Sequence, residues 1–113
     1  MDKLELFTFL RVNLNDTLIP EIPFALNQNY PNPFNSFTCI KFSLPEEKKT
    51  FLGVYNIRGQ LVKTLINEVK SSGEYNILWD GRDNYGQSVS SGVYFCILKS
   101  GDRLQTRKII LIK

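Results

Sequence analysis

The chain has 113 residues and a formal net charge of +3, which gives room for one domain but too weak a basic balance to indicate a nucleic-acid-binding protein. Hydrophobic residues make up 42% of the sequence, as in ordinary globular proteins, so disorder is not expected for the whole chain. No run of residues approaches the roughly 18 apolar positions that a membrane-spanning helix requires.

The first 25 residues precede the segment that we expect to fold. Residues 4–10 are mostly apolar, but Glu5 interrupts them, Arg11 follows them, and no small-residue cleavage site comes next. This pattern does not fit a secretory signal peptide. We therefore predict that residues 1–25 are an N-terminal extension or the remnant of an upstream linker, and that residues 26–113 form the folded domain.

Residues 29–35, here called the proline strap, read Asn-Tyr-Pro-Asn-Pro-Phe-Asn and are predicted to form a rigid extended lead-in to the domain. The rings of Pro31 and Pro33 fix φ and push the residue before each ring toward extended geometry. Neither proline can donate a backbone hydrogen bond inside a sheet. We expect Tyr30 and Phe34 to anchor the strap through apolar contacts.

A first strand is predicted at residues 37–43, because Thr38, Ile40 and Phe42 alternate with positions that look outward. The charged residues 46–49 are expected to form a solvated loop.

A second strand is predicted at residues 51–55, with Leu52 and Val54 on one face. Residues 56–59 are typical of a tight turn, because Gly59 can adopt the positive φ that closes a hairpin with a bulge. A third strand should therefore follow this turn and pair with the second.

The third strand is expected over residues 60–66, followed by a polar connection at residues 67–73. A fourth strand at residues 74–80 alternates apolar and polar positions over most of its length. This alternation places Trp79 in the core.

Two more strands are predicted at residues 92–98 and 104–112, with Gly92 opening the first of them. Tyr94 is expected to lie in the core. Roughly seven short β elements with frequent turn signals and no convincing helix are typical of an all-β protein. We predict an immunoglobulin-like antiparallel β-sandwich of about seven strands.

The two cysteines, Cys39 and Cys96, are predicted to lie in different strands. They could form a disulfide in an oxidising compartment. However, the alternation places Cys39 on an outward face and Cys96 on an inward face. Two free thiols that pack as small apolar side chains are the favoured interpretation.

Catalytic and metal-binding patterns are largely missing from the sequence. The chain has no histidine, which excludes Ser-His-Asp and Cys-His catalysis and His-ligated zinc. Two cysteines cannot form a four-cysteine metal site, and no glycine run matches a phosphate-binding loop. We therefore expect neither enzymatic activity nor a cofactor.

The turn-rich residues 80–86 are the best candidate for a ligand site. Asp80, Asp83 and Asn84 carry oxygens that could hold Ca²⁺, but Arg82 occupies a position where a calcium loop would place another oxygen ligand. The favoured alternative is that the two aspartates accept hydrogen bonds from backbone N–H groups while the glycines of the loop supply unusual φ values.

Basic residues crowd the last fifteen positions, against a single acidic residue, Asp102. They could keep an edge hairpin soluble by discouraging edge-to-edge pairing, or they could form a docking surface for an acidic partner. The basic residues in question are Lys99, Arg103, Arg107, Lys108 and Lys113.

Several separate sequence blocks occur in one order within the predicted domain. They are Asn-Tyr-Pro-Asn-Pro-Phe-Asn at 29–35, Val-Tyr-Asn-Ile-Arg-Gly-Gln at 54–60, Gly-Glu-Tyr at 73–75, Trp-Asp-Gly-Arg-Asp at 79–83 and Ser-Gly-Val-Tyr-Phe at 91–95. With these blocks the chain resembles the type A C-terminal sorting domain of the type IX secretion system. It also resembles the related immunoglobulin-like domain of the flagellar hook-capping protein.

The resemblance implies a non-catalytic sorting signal at the C-terminus of a larger secreted protein, with no nucleic-acid partner and no membrane span. An outer-membrane translocon would recognise the domain after transit through the periplasm. A C-terminal signal peptidase would commonly cleave the domain as the upstream cargo is released or attached to the cell surface. The expected docking end is the final strand with Arg107, Lys108 and Lys113.

The motif residues are expected to determine the fold rather than to bind a partner. These residues are Tyr30, Pro31, Pro33, Phe34, Tyr55, Gly59, Trp79, Asp80, Gly81, Gly92 and Tyr94. Two other classes of function remain open at this point. One is a structural or adhesive assembly module, and the other is a sandwich that binds carbohydrate or Ca²⁺ through residues 80–86.

Overall fold

The structure, a computed structural model, describes residues 21–113, so the expectations for residues 1–20 lie outside the described part of the chain. Residues 21–113 form strands and turns without a helix, and hence contain no helix that could cross a bilayer. The strands are β1 Ala25–Leu26, β2 Thr38–Leu44, β3 Lys48–Asn56, β4 Leu61–Lys70, β5 Gly73–Trp79, β6 Gly92–Ser100 and β7 Arg103–Leu111.

The strands build two antiparallel sheets that pack against each other. One sheet has the order β1-β2-β5, and the other has the order β4-β3-β6-β7. Every pair of neighbouring strands is antiparallel. The predicted immunoglobulin-like sandwich of about seven strands is therefore confirmed.

The core lies between the two sheets, because one face of each long strand is apolar and buried. The side chains of Trp79 and Tyr94, which were predicted to lie there, are 0% and 6% exposed. The other buried apolar side chains are Leu26, Phe34, Ile40, Phe42, Leu44, Leu52, Val54, Ile66, Cys96, Leu98, Ile109 and Leu111.

The turn between β3 and β4 agrees with the predicted hairpin. Gly59 has a φ of 76°, and its N–H donates to the carbonyl of Asn56 at 3.0 Å. The register of the two strands shifts between Leu52 and Gly53 and again between Val54 and Tyr55. The expected bulge is thus present.

The hairpin is longer than predicted. Lys48 and Lys49 were expected in a loop, but they pair with Lys70 and Val69. Residues 67–70 were expected in a polar connection, but they extend β4. Both expectations are wrong, because an antiparallel strand can carry exposed polar side chains and still form its backbone ladder.

Cys39 and Cys96 lie in different sheets, on β2 and β6, and both are free thiols. Cys96 is 1% exposed, and desolvation by burial raises the pKa of its thiol from 9.0 to about 12. Cys39 is partly exposed. The two thiols therefore differ in the accessibility that governs their reactivity.

In the folded protein, iodoacetamide is expected to alkylate Cys39 well before Cys96, because the reagent attacks an accessible thiolate. Mass spectrometry of a time course checks this order. The Cys39→Ser variant, which keeps only Cys96, serves as the control and should be labelled only when urea unfolds it. Equal labelling of that variant with and without urea would show that Cys96 is not sealed in the core.

Candidate functional site

The proline strap lies along the C-terminal strand and pairs with it through the main chain. The N–H of Phe34 donates to the carbonyl of Ile110 at 3.0 Å, and the N–H of Ile112 donates to the carbonyl of Phe34 at 2.8 Å. The side-chain oxygen of Asn32 accepts from the N–H of Ile110 at 2.9 Å. The strap therefore covers the free edge of β7 over its last residues.

The two aromatic residues of the strap have different environments. The ring of Phe34 is 3% exposed and lies 5.4 Å from the Trp79 ring, centroid to centroid. Tyr30 is 80% exposed, so its interpretation as an apolar anchor is wrong. The main chain of Tyr30 pairs with that of Cys39, and directly opposite residues in an antiparallel pair point to the same side. Since that side faces outward, the Tyr30 side chain also points outward.

Buried polar side chains fix the course of the strap around its first proline. The amide of Asn29 donates to the carbonyl of Pro31 at 3.1 Å and to the hydroxyl of Thr38 at 2.9 Å. That hydroxyl donates in turn to the carbonyl of Pro31 at 2.7 Å. Asn29 and Thr38 are 3% and 0% exposed. Their side-chain roles were missed, because nothing in the local sequence indicates that the Asn29 amide and the Thr38 hydroxyl meet.

Motif blocks that are far apart in sequence meet at the end of β7. The Trp79 ring packs against both Phe34 and Tyr94, at a centroid distance of 5.4 Å from each. Gly81 has a φ of 72°, and a Cβ at this position would lie 3.6 Å from the Leu111 side chain. The strap, the Trp79 block and the Tyr94 block therefore surround the last buried residue of the chain.

The remaining predicted fold determinants lie at the border of this cluster or outside it. Gly92 opens β6 directly opposite Leu111. Tyr55 is half-buried and lies opposite Phe95 on the face of the four-stranded sheet that points away from the core. Asp80 accepts a hydrogen bond from the N–H of Arg82 at 3.2 Å.

Two of the predicted docking residues point toward the other sheet. The Nε of Arg107 donates to the carbonyl of Leu26 at 2.7 Å, and the guanidinium carbon of Arg103 lies 5.9 Å from the centroid of the Phe24 ring. Between them, the side-chain amide of Gln105 accepts from the N–H of Leu26 at 2.7 Å and donates to the carbonyl of Phe24 at 3.1 Å. These β7 side chains thus join the two sheets across the open side of the sandwich, a role that was missed for Gln105.

The three predicted docking lysines lie elsewhere. Lys99 on β6 and Lys108 on β7 are exposed on the outer face of the four-stranded sheet, where Lys108 lies opposite Phe95. Lys113 follows β7, and its ammonium group donates to the hydroxyl of Ser88. The five basic residues are therefore not brought together on one surface.

The turn at residues 80–86 uses its side-chain oxygens to hold backbone N–H groups. One carboxylate oxygen of Asp83 accepts from the N–H groups of Tyr85 and Gln87, both at 2.9 Å. Asn84 accepts from the N–H of Thr64 on β4 at 2.9 Å. Within residues 21–113, no three acidic or cysteine side chains are grouped so that they could hold a metal ion. The interpretation of this loop as a hydrogen-bonded turn is confirmed.

Replacing Asp83 by alanine is expected to lower the free energy of unfolding by about 1–2 kcal/mol, since two N–H groups lose a charged acceptor. Urea unfolding followed by circular dichroism measures the change. Asp80→Ala is the matched control and should cost less, because Asp80 accepts one longer bond and its ion pair with Arg82 is solvent-exposed. A thermal midpoint that rises with millimolar Ca²⁺ in the unchanged protein, and not in Asp83→Ala, would restore the calcium interpretation.

Solved structures with the same fold include large proteins in which this unit is a small part. Dimeric latent PorU from Porphyromonas gingivalis matches 83% of this chain with a TM-score of 0.60 and 18% identity. PorZ, an essential surface component of the type IX secretion system of that bacterium, matches 79% with a TM-score of 0.55 and 19% identity. This chain spans only 10% of the PorU chain and 12% of the PorZ chain.

A third structure, FlgD from P. aeruginosa, matches 79% of this chain and 67% of its own length, with a TM-score of 0.55 and 17% identity. At such identities the likeness establishes the fold alone. Among curated protein sequences, none matches this chain. The family model of the secretion system C-terminal sorting domain, however, matches residues 28–113. Because this match extends over more than half of the chain, the chain belongs to the secretion system C-terminal sorting domain family, as its motifs predicted.

Proposed function

We propose that residues 26–113 are the C-terminal sorting signal of a larger protein and are recognised by the outer-membrane translocon of the type IX secretion system. Membership in the sorting-domain family implies a secreted or cell-surface protein that interacts with a secretion system. In this proposal the upstream cargo crosses the periplasm and is then released or attached at the surface. The proposed partners are the translocon and its C-terminal signal peptidase.

The convergence of the motif blocks on the end of β7 is the observation that carries the proposal. Phe34 pairs with β7 through its main chain, and its ring contacts Trp79. The Tyr94 ring also contacts Trp79, at a centroid distance of 5.4 Å. A sorting signal must present the same shape whatever cargo precedes it, and this cluster holds the last strand in one position within the domain itself.

The proposed role requires binding and no bond-making, so we propose a non-catalytic domain without a cofactor. The sequence contains no histidine that could act as a general base. Burial raises the pKa of the Cys96 thiol to about 12, which keeps it protonated and unreactive near neutral pH. The carboxylate of Asp83 is engaged in the backbone bonds of its turn.

We place the docking end at the last residues of β7 and their basic flank. Lys108 and Lys113 are exposed there, and the strap fixes the adjacent main chain. We do not assign Arg107 to the docking end, because its Nε donates a hydrogen bond to the Leu26 carbonyl. Charges at the rim of an interface mainly affect the encounter rate and partner choice, which suits a signal that must be selected from many periplasmic proteins.

Fusing residues 21–113, which include all of β1 and the Phe24 that packs against the core, to the C-terminus of a periplasmic reporter tests the sorting function. The reporter is expected outside the cell, or on its surface, only in a host that has the type IX translocon. The same fusion in a translocon-deficient strain is the control and should stay in the periplasm. A folded fusion that stays in the periplasm of the competent host would contradict the proposal.

Reversing two charges tests the docking end in the same export assay. Lys108→Glu combined with Lys113→Glu is expected to slow export roughly tenfold, since each rim charge contributes about 0.5–1 kcal/mol. Lys41→Glu, on the exposed face of the other sheet, is the matched control and should leave export unchanged. Normal export of the double variant would move the docking end away from these lysines.

A further inference from the structure

The outer face of the four-stranded sheet carries a continuous set of apolar side chains. Residues alternate between the two faces of a strand, so the positions between the core residues of β3, β6 and β7 point to this outer face. Across β3 and β6, Tyr55 lies opposite Phe95, and Gly53 lies opposite Ile97. We call the following five residues the apolar face: Phe51, Tyr55, Phe95, Ile97 and Leu104.

The apolar face contains a shallow groove that is open to solvent. The Phe51 ring fills the space over Gly53, where a Cβ would lie 2.5 Å from the ring, and Phe51 forms one wall of the groove. The groove has a volume of about 530 Å³. It runs from Ile57 in the β3–β4 turn, 74% exposed, to Leu104 on β7, 58% exposed.

The charged side chains that β3, β6 and β7 contribute around the groove are all basic. Lys49, Lys99 and Lys108 are exposed and point to the same side of the sheet as the apolar face. The strands β3, β6 and β7 contain no aspartate or glutamate. Within the described residues, these three lysines form no ion pair, since the ion pairs found there involve Lys48, Lys70 and Arg82. The face therefore complements a negatively charged partner.

The shape of the face favours a protein partner over a lipid surface. Four of the five apolar residues are half-buried between their neighbours, so a smooth bilayer would reach mainly Ile57 and Leu104. Side chains projecting from a protein segment can enter the groove. A second copy of this chain is disfavoured as the partner, because two such faces would bring their lysines together and the like charges would repel.

We propose that the apolar face binds an acidic segment of another protein, whose apolar side chains enter the groove while its carboxylates meet Lys49 and Lys99. This surface borders the docking end proposed for the translocon at Lys108, which lies opposite Phe95. It would give the domain a second contact with a partner, and its test therefore uses Lys49, Lys99 and Leu104 rather than Lys108.

Titration of the full chain with a synthetic peptide of alternating Glu and Leu, followed by NMR, tests this surface. We expect saturable binding with amide shifts concentrated at Phe95, Ile97 and Leu104. A peptide of alternating Lys and Leu and one of alternating Glu and Gly should each bind at least tenfold more weakly, because each lacks one of the two complementary features. Absence of saturable binding, or equal binding of the three peptides, would overturn the proposal.

Variants on both sheets locate the binding site. Lys49→Glu combined with Lys99→Glu, and separately Leu104→Ser, should each weaken binding of the Glu-Leu peptide at least tenfold. Lys41→Glu and Leu78→Ser are the matched controls, because both residues are exposed on the other sheet, and they should bind like the unchanged chain. Circular dichroism confirms that each variant is folded. Equal weakening by the controls would show that the peptide binds without using this face.

Two further measurements separate the other possible occupants. Phosphatidylglycerol vesicles should not compete with the Glu-Leu peptide, and the chain should sediment as a monomer. Vesicle binding that Leu104→Ser abolishes would assign the face to a lipid surface. A dimer that Leu104→Ser dissociates would assign it to a second copy of the chain. Either result would overturn the proposal of an acidic protein segment.

Discussion

Replacing Trp79 by alanine is expected to lower the free energy of unfolding by about 3–5 kcal/mol, the range for removing a large buried aromatic side chain. Trp79 is 0% exposed and contacts the rings of Phe34 and Tyr94. Its indole N–H donates to the carbonyl of Arg82 at 3.0 Å. A domain of this size is stable by only about 5–15 kcal/mol, so the variant should lose a large part of its stability.

Urea unfolding followed by far-ultraviolet circular dichroism is the suitable measurement, because Trp79 is the only tryptophan and the variant has no indole fluorescence. Leu78→Ala is the matched control. Leu78 is the preceding residue on β5 but is 59% exposed, so its loss should change stability by no more than about 0.5–1 kcal/mol. A similar loss for the two variants would mean that the motif tryptophan does not organise the core.

The alternation of apolar residues predicted the sandwich and its core because the period of two reports directly which face of a strand is buried. Ile40, Trp79 and Tyr94 are buried as predicted. This information is local, since each strand carries its own pattern. The buried face of each strand can therefore be predicted from one sequence, without knowing which strands pair.

The environments of the strap and of the basic residues could not be predicted in the same way, because they depend on contacts between distant segments. Tyr30 looks like an anchor by composition, but its pairing with Cys39 turns its side chain outward. Arg107 looks like a free surface charge, but it lies beside β1 and holds the Leu26 carbonyl. Only the assembly of the two sheets decides these roles.

The motif blocks indicate the family, but they do not indicate which residues meet in the fold. The motif blocks that carry the family resemblance are spread over residues 29–95, and no single block indicates what it contacts. Their common role becomes visible only in the fold, where Trp79 packs against Phe34 and Tyr94, and where Phe34 and Gly81 lie next to Leu111. The apolar face was missed because half-buried residues such as Phe95 and Ile97 alternate with core residues, and β6 therefore resembles a strand buried on both faces.

Deleting residues 109–113 is expected to unfold the domain rather than merely to remove a docking signal. Ile109 and Leu111 are 0% and 1% exposed, and truncating each such side chain costs about 2–5 kcal/mol. The deletion also removes Ile110 and Ile112, which hold the strap through Phe34. The combined loss is comparable to the whole stability of a small domain.

Circular dichroism and the dispersion of amide resonances should show that the truncated chain has no cooperative thermal transition. Deleting Lys113 alone is the matched control and should leave the transition nearly unchanged, because this residue is exposed. A truncated chain that melts at the midpoint of the full domain would show that the end of β7 is not part of the core. Loss of export on deleting residues 107–113 therefore cannot distinguish a missing docking end from a missing fold. The charge reversals at Lys108 and Lys113 can, because they leave the buried face of the final strand intact.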